Sequence, residues 1–219
     1  MYVVYLTGGL ASGKTTVADW LAAKGALIHD LDLIARQEQQ SEEVKSALQQ
    51  AFGEDILDED RNVRRSLLAE RAFATAEATQ KLNDISWPPT IRRLEEYIHQ
   101  ANNQPSAPVT DQSDKESEYL DNLMVVQIPL LVEALQQAGN LLNLADEIIT
   151  INADSQIRHS RAVQRGMDAT DASQRLARQT SDEERQRIAH TVIDNSGSMD
   201  ELHRTLESWL TDRRAKGMF

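Results

Sequence analysis

Apolar residues along this chain gather in five short runs, at residues 2–7, 26–29, 124–128, 147–151 and 191–193, each bounded by polar or glycine-containing sequence. The runs are rich in Val, Ile, Tyr and Thr and are nearly continuous, which predicts strands buried on both faces rather than strands with one wet face. Helical patterns separate them, among them residues 41–52, 64–74 and 91–101 in the long interval between the second and third runs. Strands alternating with helices predict an α/β core on a five-stranded parallel sheet. The long interval has room for a small helical substrate-binding insertion.

The first run leads into Gly8-Gly9-Leu10-Ala11-Ser12-Gly13-Lys14-Thr15, which matches G-x-x-x-x-G-K-[ST] between a strand and a helix. Glycines in such a loop let several backbone N–H groups converge on phosphate oxygens, and the following helix adds the positive end of its dipole. Lys14 then supplies a charge for the β and γ phosphates, and Thr15 offers a hydroxyl to Mg²⁺. The plain alternative, a glycine turn joining strand to helix, has to produce the whole pattern at this place by chance. The core is therefore read as a P-loop nucleotide-binding fold.

The second run ends in His29-Asp30-Leu31-Asp32. Alternate residues at the carboxyl end of a strand direct two carboxylates to the crevice where open α/β sheets bind ligands. One acid there can orient an acceptor hydroxyl and take its proton, and the other can reach Mg²⁺ through water. The competing reading is that Asp30 or Asp32 caps the next helix. Between the fourth and fifth runs, residues 155–187 carry seven of the seventeen arginines, with Arg158, Arg161 and Arg165 on one helical stripe. Acids are interspersed, so any single arginine reads as a surface ion pair. As a group they read as a mobile lid bringing guanidinium groups onto a transferring phosphate.

The net charge of −12 argues against nucleic acid or an anionic membrane as partner, though not against a small polyphosphate held by local donors. Cysteine is absent, which excludes disulfides and thiolate chemistry. With apolar runs only of strand length and no secretory leader pattern, the expectation is a soluble cytoplasmic protein. Residues 102–122, rich in Pro, Ser and acids, read as an exposed polar loop. The five histidines show no metal-ligand spacing, and Trp20, Trp87 and Trp209 read as packing residues.

The loop GGLASGKTT, the segment HDLDLIAR, the helix start RRSLLAERAF, the run VVQIPLLVEA and the closing VIDNSG together resemble the dephospho-CoA kinase family, in that family's order over nearly the whole chain. The resemblance implies ATP-dependent phosphorylation of the ribose 3'-hydroxyl of dephospho-CoA, the last step of coenzyme A synthesis. It implies a core of residues 1–32, 123–154 and 188–219, a helical CoA-binding region at 33–101 and a lid at 155–187. On matching positions Gly9, Ala11, Ser12, Gly13, Lys14, Thr15 and Thr16 take the ATP phosphates, with Mg²⁺ on Thr15. Asp32 becomes the candidate base with Asp30 in reserve. Arg36, Arg65, Pro129, Leu130 and Glu133 face the CoA substrate, Arg161 and Arg165 are the lid arginines, and Asn195 is an adenine-side contact.

The sequence departs from the family at three places. Trp87-Pro88 stands where the family commonly has His-Pro, Gln127 replaces an aspartate before the P-L-L run, and the connector at 102–122 is longer. Two rival functions are weighed. A nucleoside monophosphate kinase shares the loop but not the D-x-D-x-I-A-R segment. A regulatory GTPase needs an early D-x-x-G and an N-K-x-D; the one D-x-x-G considered, at 194–197, lies near the C-terminus, and N-K-x-D is absent. The oligomeric state is left open.

Overall fold

The computed structural model describes residues 1–103 and 120–219. Most of the polar stretch expected at 102–122 therefore lies outside the described residues, while Asn102 and Asn103 belong to the end of a helix. The elements run β1 (Tyr2–Gly8), α1 (Lys14–Ala23), β2 (Leu27–Asp30), α2 (Leu31–Glu38), α3 (Glu42–Phe52), α4 (Arg65–Ala72) and α5 (Ala76–Asn103). They continue as β3 (Leu123–Gln127), α6 (Leu131–Gln137), β4 (Glu147–Asn152), α7 (Ser155–Gln164), α8 (Ala169–Arg178), α9 (Asp182–Ile188), β5 (Thr191–Asp194) and α10 (Met199–Ala215).

The sheet order is β2-β3-β1-β4-β5. β1 pairs in parallel with β3 on one side, Val4 opposite Val125, and with β4 on the other, Leu6 opposite Ile149; β4 pairs in parallel with β5. The chain thus leaves β1 at the point where the winding changes direction, the crevice in which parallel sheets hold ligands. Val4, Tyr5 and Leu6 are fully buried. Burying such side chains contributes roughly 1.5–3 kcal/mol each, so the phosphate loop hangs from a firmly anchored central strand of the sheet.

Packing divides the chain into two units, one of Met1–His29 with Asn102–Phe219, and one of Asp30–Ala101. In the first, Val17 and Leu21 of α1, Ile149 of β4, Ile193 of β5 and Trp209 of α10 share one core. At the amino end of β4 the buried Glu147 accepts hydrogen bonds from the Tyr2 hydroxyl at 3.0 Å, Trp209 Nε1 at 3.1 Å, Arg213 Nε at 2.8 Å and the Thr191 hydroxyl, tying α10 to the sheet. Burial raises the Glu147 pKa, but these donors outweigh it and hold the carboxyl below its ordinary value.

The second unit is mainly helical after Asp30, with one antiparallel bridge between Leu57 and Val63 and a core in which Val44, Leu48, Phe52, Ile56 and Leu68 pack together. Its 28-residue helix α5 passes through Pro88 and Pro89, where sequence reading begins a helix only at residue 91. Thr90, fully buried, returns its hydroxyl to the Ser86 carbonyl at 2.7 Å. The two prolines have no N–H to give to the carbonyls of Asp84 and Ile85, and the helix continues through them with Pro89, Thr90, Ile91 and Leu94 buried.

Candidate active site

The phosphate loop spans residues 9–13 between β1 and α1. Gly13 is the N-cap of α1 with φ of 103°, and a Cβ there would come within 2.1 Å of Asn195 Nδ2. Only glycine meets both conditions. Ala11 also adopts a positive φ, 56°, an unusual conformation for a residue with a side chain and one that concentrates at ligand-binding turns. Lys14 Nζ donates to the carbonyls of Gly8 at 2.7 Å and Gly9 at 2.9 Å, so the amine is held within the curve of the loop. Thr15, in the first turn of α1, is exposed.

Asn195, just after β5, is buried and donates from Nδ2 to the Ser12 carbonyl at 2.7 Å. The resemblance gave this residue an adenine contact; the structure spends its amide nitrogen on holding the loop. Among the described residues its buried Oδ1 has no hydrogen-bond partner, and neither has Nη1 of Arg161. Both residues line a cavity of about 280 Å³ with Gly13, Thr16 and Arg165. An orphaned acceptor and an orphaned donor beside the loop suit the polar edge of a nucleotide. Arg165, the residue ending α7, also lines a second cavity of about 430 Å³ with Leu10, Ala11, Asp168 and Arg175. Hydrogen bonds from the N–H groups of Asp171 and Thr170 keep the Asp168 carboxyl below its ordinary pKa.

The arginine stripe on α7 divides in two. Arg161 and Arg165 line the cavities beside the phosphate loop, whereas Arg158 is buried, paired with Asp182 at 2.8 Å, and edges a different cavity between α7 and α8. Gln179 is a residue that sequence reasoning passed over: its Oε1 accepts from the Leu10 N–H at 2.8 Å, a direct bond to the loop. No local pattern marks such a glutamine.

The paired aspartates need a correction. β2 ends at Asp30, which is the N-cap of α2, and its Oδ1 accepts from the N–H groups of Asp32 at 2.9 Å and Leu33 at 3.2 Å. Asp32 is therefore a first-turn helical residue, and the two acids are not alternate positions of one strand. Capping engages Oδ1 of Asp30, the competing role weighed for it in the sequence. In the helical unit Asp32 lines a cavity of about 470 Å³ with Arg36, one turn along the same helix face, and with Gln39, Arg65, Phe73 and Leu82. The Phe73 ring is 66% exposed. The cavity joins one carboxylate and two guanidiniums to an apolar wall, the character of a site for a phosphorylated, partly apolar molecule.

Three residues expected to face the CoA substrate follow β3. Pro129 is half-buried and Leu130 exposed. Glu133, in the first turn of α6, accepts a hydrogen bond from the Thr180 hydroxyl, so at least one of its oxygens is engaged within the first unit.

Comparison with known proteins decides which phosphate-handling family this is. The family model for dephospho-CoA kinase matches residues 2–201. The chain belongs to the dephospho-CoA kinase family. A dephospho-CoA kinase of Corynebacterium jeikeium (strain K411) is 35% identical over 204 residues, covering 92% of this chain and 94% of its own. One from Corynebacterium glutamicum is 36% identical over 205 residues, covering 93% and 92%. Among solved structures, TT1252 from Thermus thermophilus superposes with a TM-score of 0.73 at 26% identity, covering 96% of this chain and 97% of that one. The shikimate kinase of Acinetobacter baumannii, at 12% identity and a TM-score of 0.52 with 97% and 95% coverage, shares the fold. The α/β P-loop kinase architecture expected from the strand and helix pattern is thus the observed one.

Proposed function

We propose that the protein transfers the γ-phosphoryl group of ATP to the ribose 3'-hydroxyl of dephospho-CoA, giving coenzyme A and ADP. Family membership supports the reaction, and one observation carries the assignment of roles. Asp32 stands with Arg36 and Arg65 around one cavity, a base for a hydroxyl beside cations for the acceptor's phosphates, in a chain whose first loop is built for ATP.

Lys14, the loop amides and the arginines Arg161 and Arg165 stabilise charge on the phosphoryl oxygens, while Asp32 orients the 3'-hydroxyl and accepts its proton. The described residues contain no group of three or more acidic, histidine or cysteine ligands for a metal. Mg²⁺ is assigned, from the loop motif, to the exposed Thr15 hydroxyl together with the phosphates of ATP, as suits an ion that keeps several waters. When bound it neutralises phosphate charge. The protein is assigned to the cytoplasm, acting on small molecules rather than on nucleic acid or membranes; among the described residues no helix is long and apolar enough to cross a membrane.

Mass spectrometry of the product from ATP and dephospho-CoA tests the reading. A 3'-phosphorylated product is expected. Phosphorylation of nucleoside monophosphates, with dephospho-CoA untouched, would replace this acceptor with the rival one.

A further inference from the structure

Two arginines and one aspartate pack against the first residue of the phosphate loop. Arg158 on α7 donates from Nη2 to Asp182 Oδ2 at 2.8 Å, and Arg185 on α9 donates from Nη2 to Asp182 Oδ1 at 2.5 Å. Both arginines are buried, 7% and 6% exposed. A Cβ added to Gly9 would lie 2.1 Å from Arg158 Nη1 and 3.2 Å from Arg185 Nη2, so the guanidiniums rest directly on the loop backbone. Arg185 Nη1 also reaches the Thr180 carbonyl at 2.5 Å, and the adjoining Gln179 takes the Leu10 N–H. Residues 179–185 thus meet the loop twice, by the hydrogen bond from the Leu10 N–H to Gln179 and by the Arg185 guanidinium lying close to Gly9.

The charge balance distinguishes this cluster from an ordinary ion pair. Two buried cations share the one carboxylate of Asp182 by direct contact, Glu184 lending Arg185 only a more distant negative charge. The long arginine side chains would normally yield to a neighbour. Here each is fixed at its tip by a different oxygen of Asp182, which gives the planar groups a defined place.

We propose that Asp182, through Arg158 and Arg185, is a positioning clamp for the phosphate loop. It holds Gly9 and the amides that follow it in the arrangement that receives the β and γ phosphates, and so sets affinity for ATP while leaving affinity for the acceptor unchanged. The proposal rests on the ATP-dependent reading above and adds to it three residues that reading does not use.

Titration calorimetry with ATP, and separately with dephospho-CoA, tests the clamp whether or not the acceptor is correctly named. Asp182→Asn is expected to weaken ATP binding tenfold or more and to leave dephospho-CoA binding within twofold. Arg158→Met is expected to weaken ATP binding similarly, with Arg158→Lys recovering most of the loss. A second test does not depend on Asp182→Asn folding. Gly9→Ala alone drives a methyl into a fixed guanidinium and weakens ATP binding, whereas Gly9→Ala combined with Arg158→Ala binds no worse than Arg158→Ala alone. Wild-type ATP affinity in Asp182→Asn, or penalties that multiply in the double variant, overturns the clamp. Failure of the wild-type protein to make coenzyme A, with the ATP effects intact, overturns the choice of acceptor instead.

Discussion

Replacing Glu147 by Gln keeps the volume of a side chain that is 2% exposed and removes the charge at the centre of its network. An acceptor oxygen becomes an N–H donor facing the donors of Tyr2, Thr191, Trp209 and Arg213. Breaking a buried ion pair from one side costs about 3–5 kcal/mol. Arg213 retains a second carboxylate, Asp212, at the more exposed edge, which places the loss near the lower end, at about 3 kcal/mol. For a chain of this size each kcal/mol moves the melting temperature by about 2–4 °C, so the expected drop is on the order of 6–12 °C. Circular dichroism melts at pH 7, with urea titrations to check that the slope is unchanged, measure it. The acidic limb supplies a second reading. Because the folded carboxyl sits below the ordinary value of 4.5, its contribution is complete above that pH and is lost as pH falls through and below it. The gap between wild type and variant therefore narrows in acid. A variant that melts within 2 °C of wild type at pH 7 would show that the buried charge adds no net stability.

Four further outcomes are expected. Burial, followed by the neighbouring Glu147, pushes the Tyr2 hydroxyl up to about 12 from 10.0, so its contribution holds below pH 10 and fades between 10 and 12; Tyr2→Phe should flatten the alkaline limb of a pH–stability profile. Asp32→Asn should leave the KM for ATP near wild type and lower kcat a hundredfold or more, roughly the scale of losing a group used in the transition state; near-normal kcat removes Asp32 from the base role. Gly13→Ala, which meets both a forbidden φ and the Asn195 amide at 2.1 Å, should weaken ATP binding tenfold or more in calorimetry while far-UV circular dichroism stays unchanged. Phe73→Ala should raise the KM for dephospho-CoA several-fold and spare that for ATP, and equal shifts in both would argue against an acceptor-side ring.

The strands were legible because both faces are covered: near-continuous apolar runs of strand length, in a chain with a strand–loop–helix phosphate motif, fit a doubly covered parallel sheet and little else. The loop itself was legible for the same reason that it works, since its backbone course admits few residue types. Asp30 was misread because a carboxylate at a strand end and a helix cap look alike until it is known that α2 begins one residue later, at Leu31. The α7 stripe was seen as a unit, yet a helix face wide enough for Arg158, Arg161 and Arg165 spans both a packed side and an open one. Its division depends on Asp182, twenty-four residues beyond Arg158. Pro88-Pro89 hid the continuity of α5, since local rules end a helix there, whereas burial of Pro89, Thr90, Ile91 and Leu94 favours its continuation.

The bond from Asn195 to the Ser12 carbonyl joins positions 183 residues apart. The motif that announces nucleotide binding lies at residues 8–15, but the side chain that braces it lies far along the sequence, just after β5. A nascent chain that stops short of Asn195 displays every letter of the signature while its loop lacks that brace. The loop's arrangement is thus secured by the folded sheet and not by the motif alone.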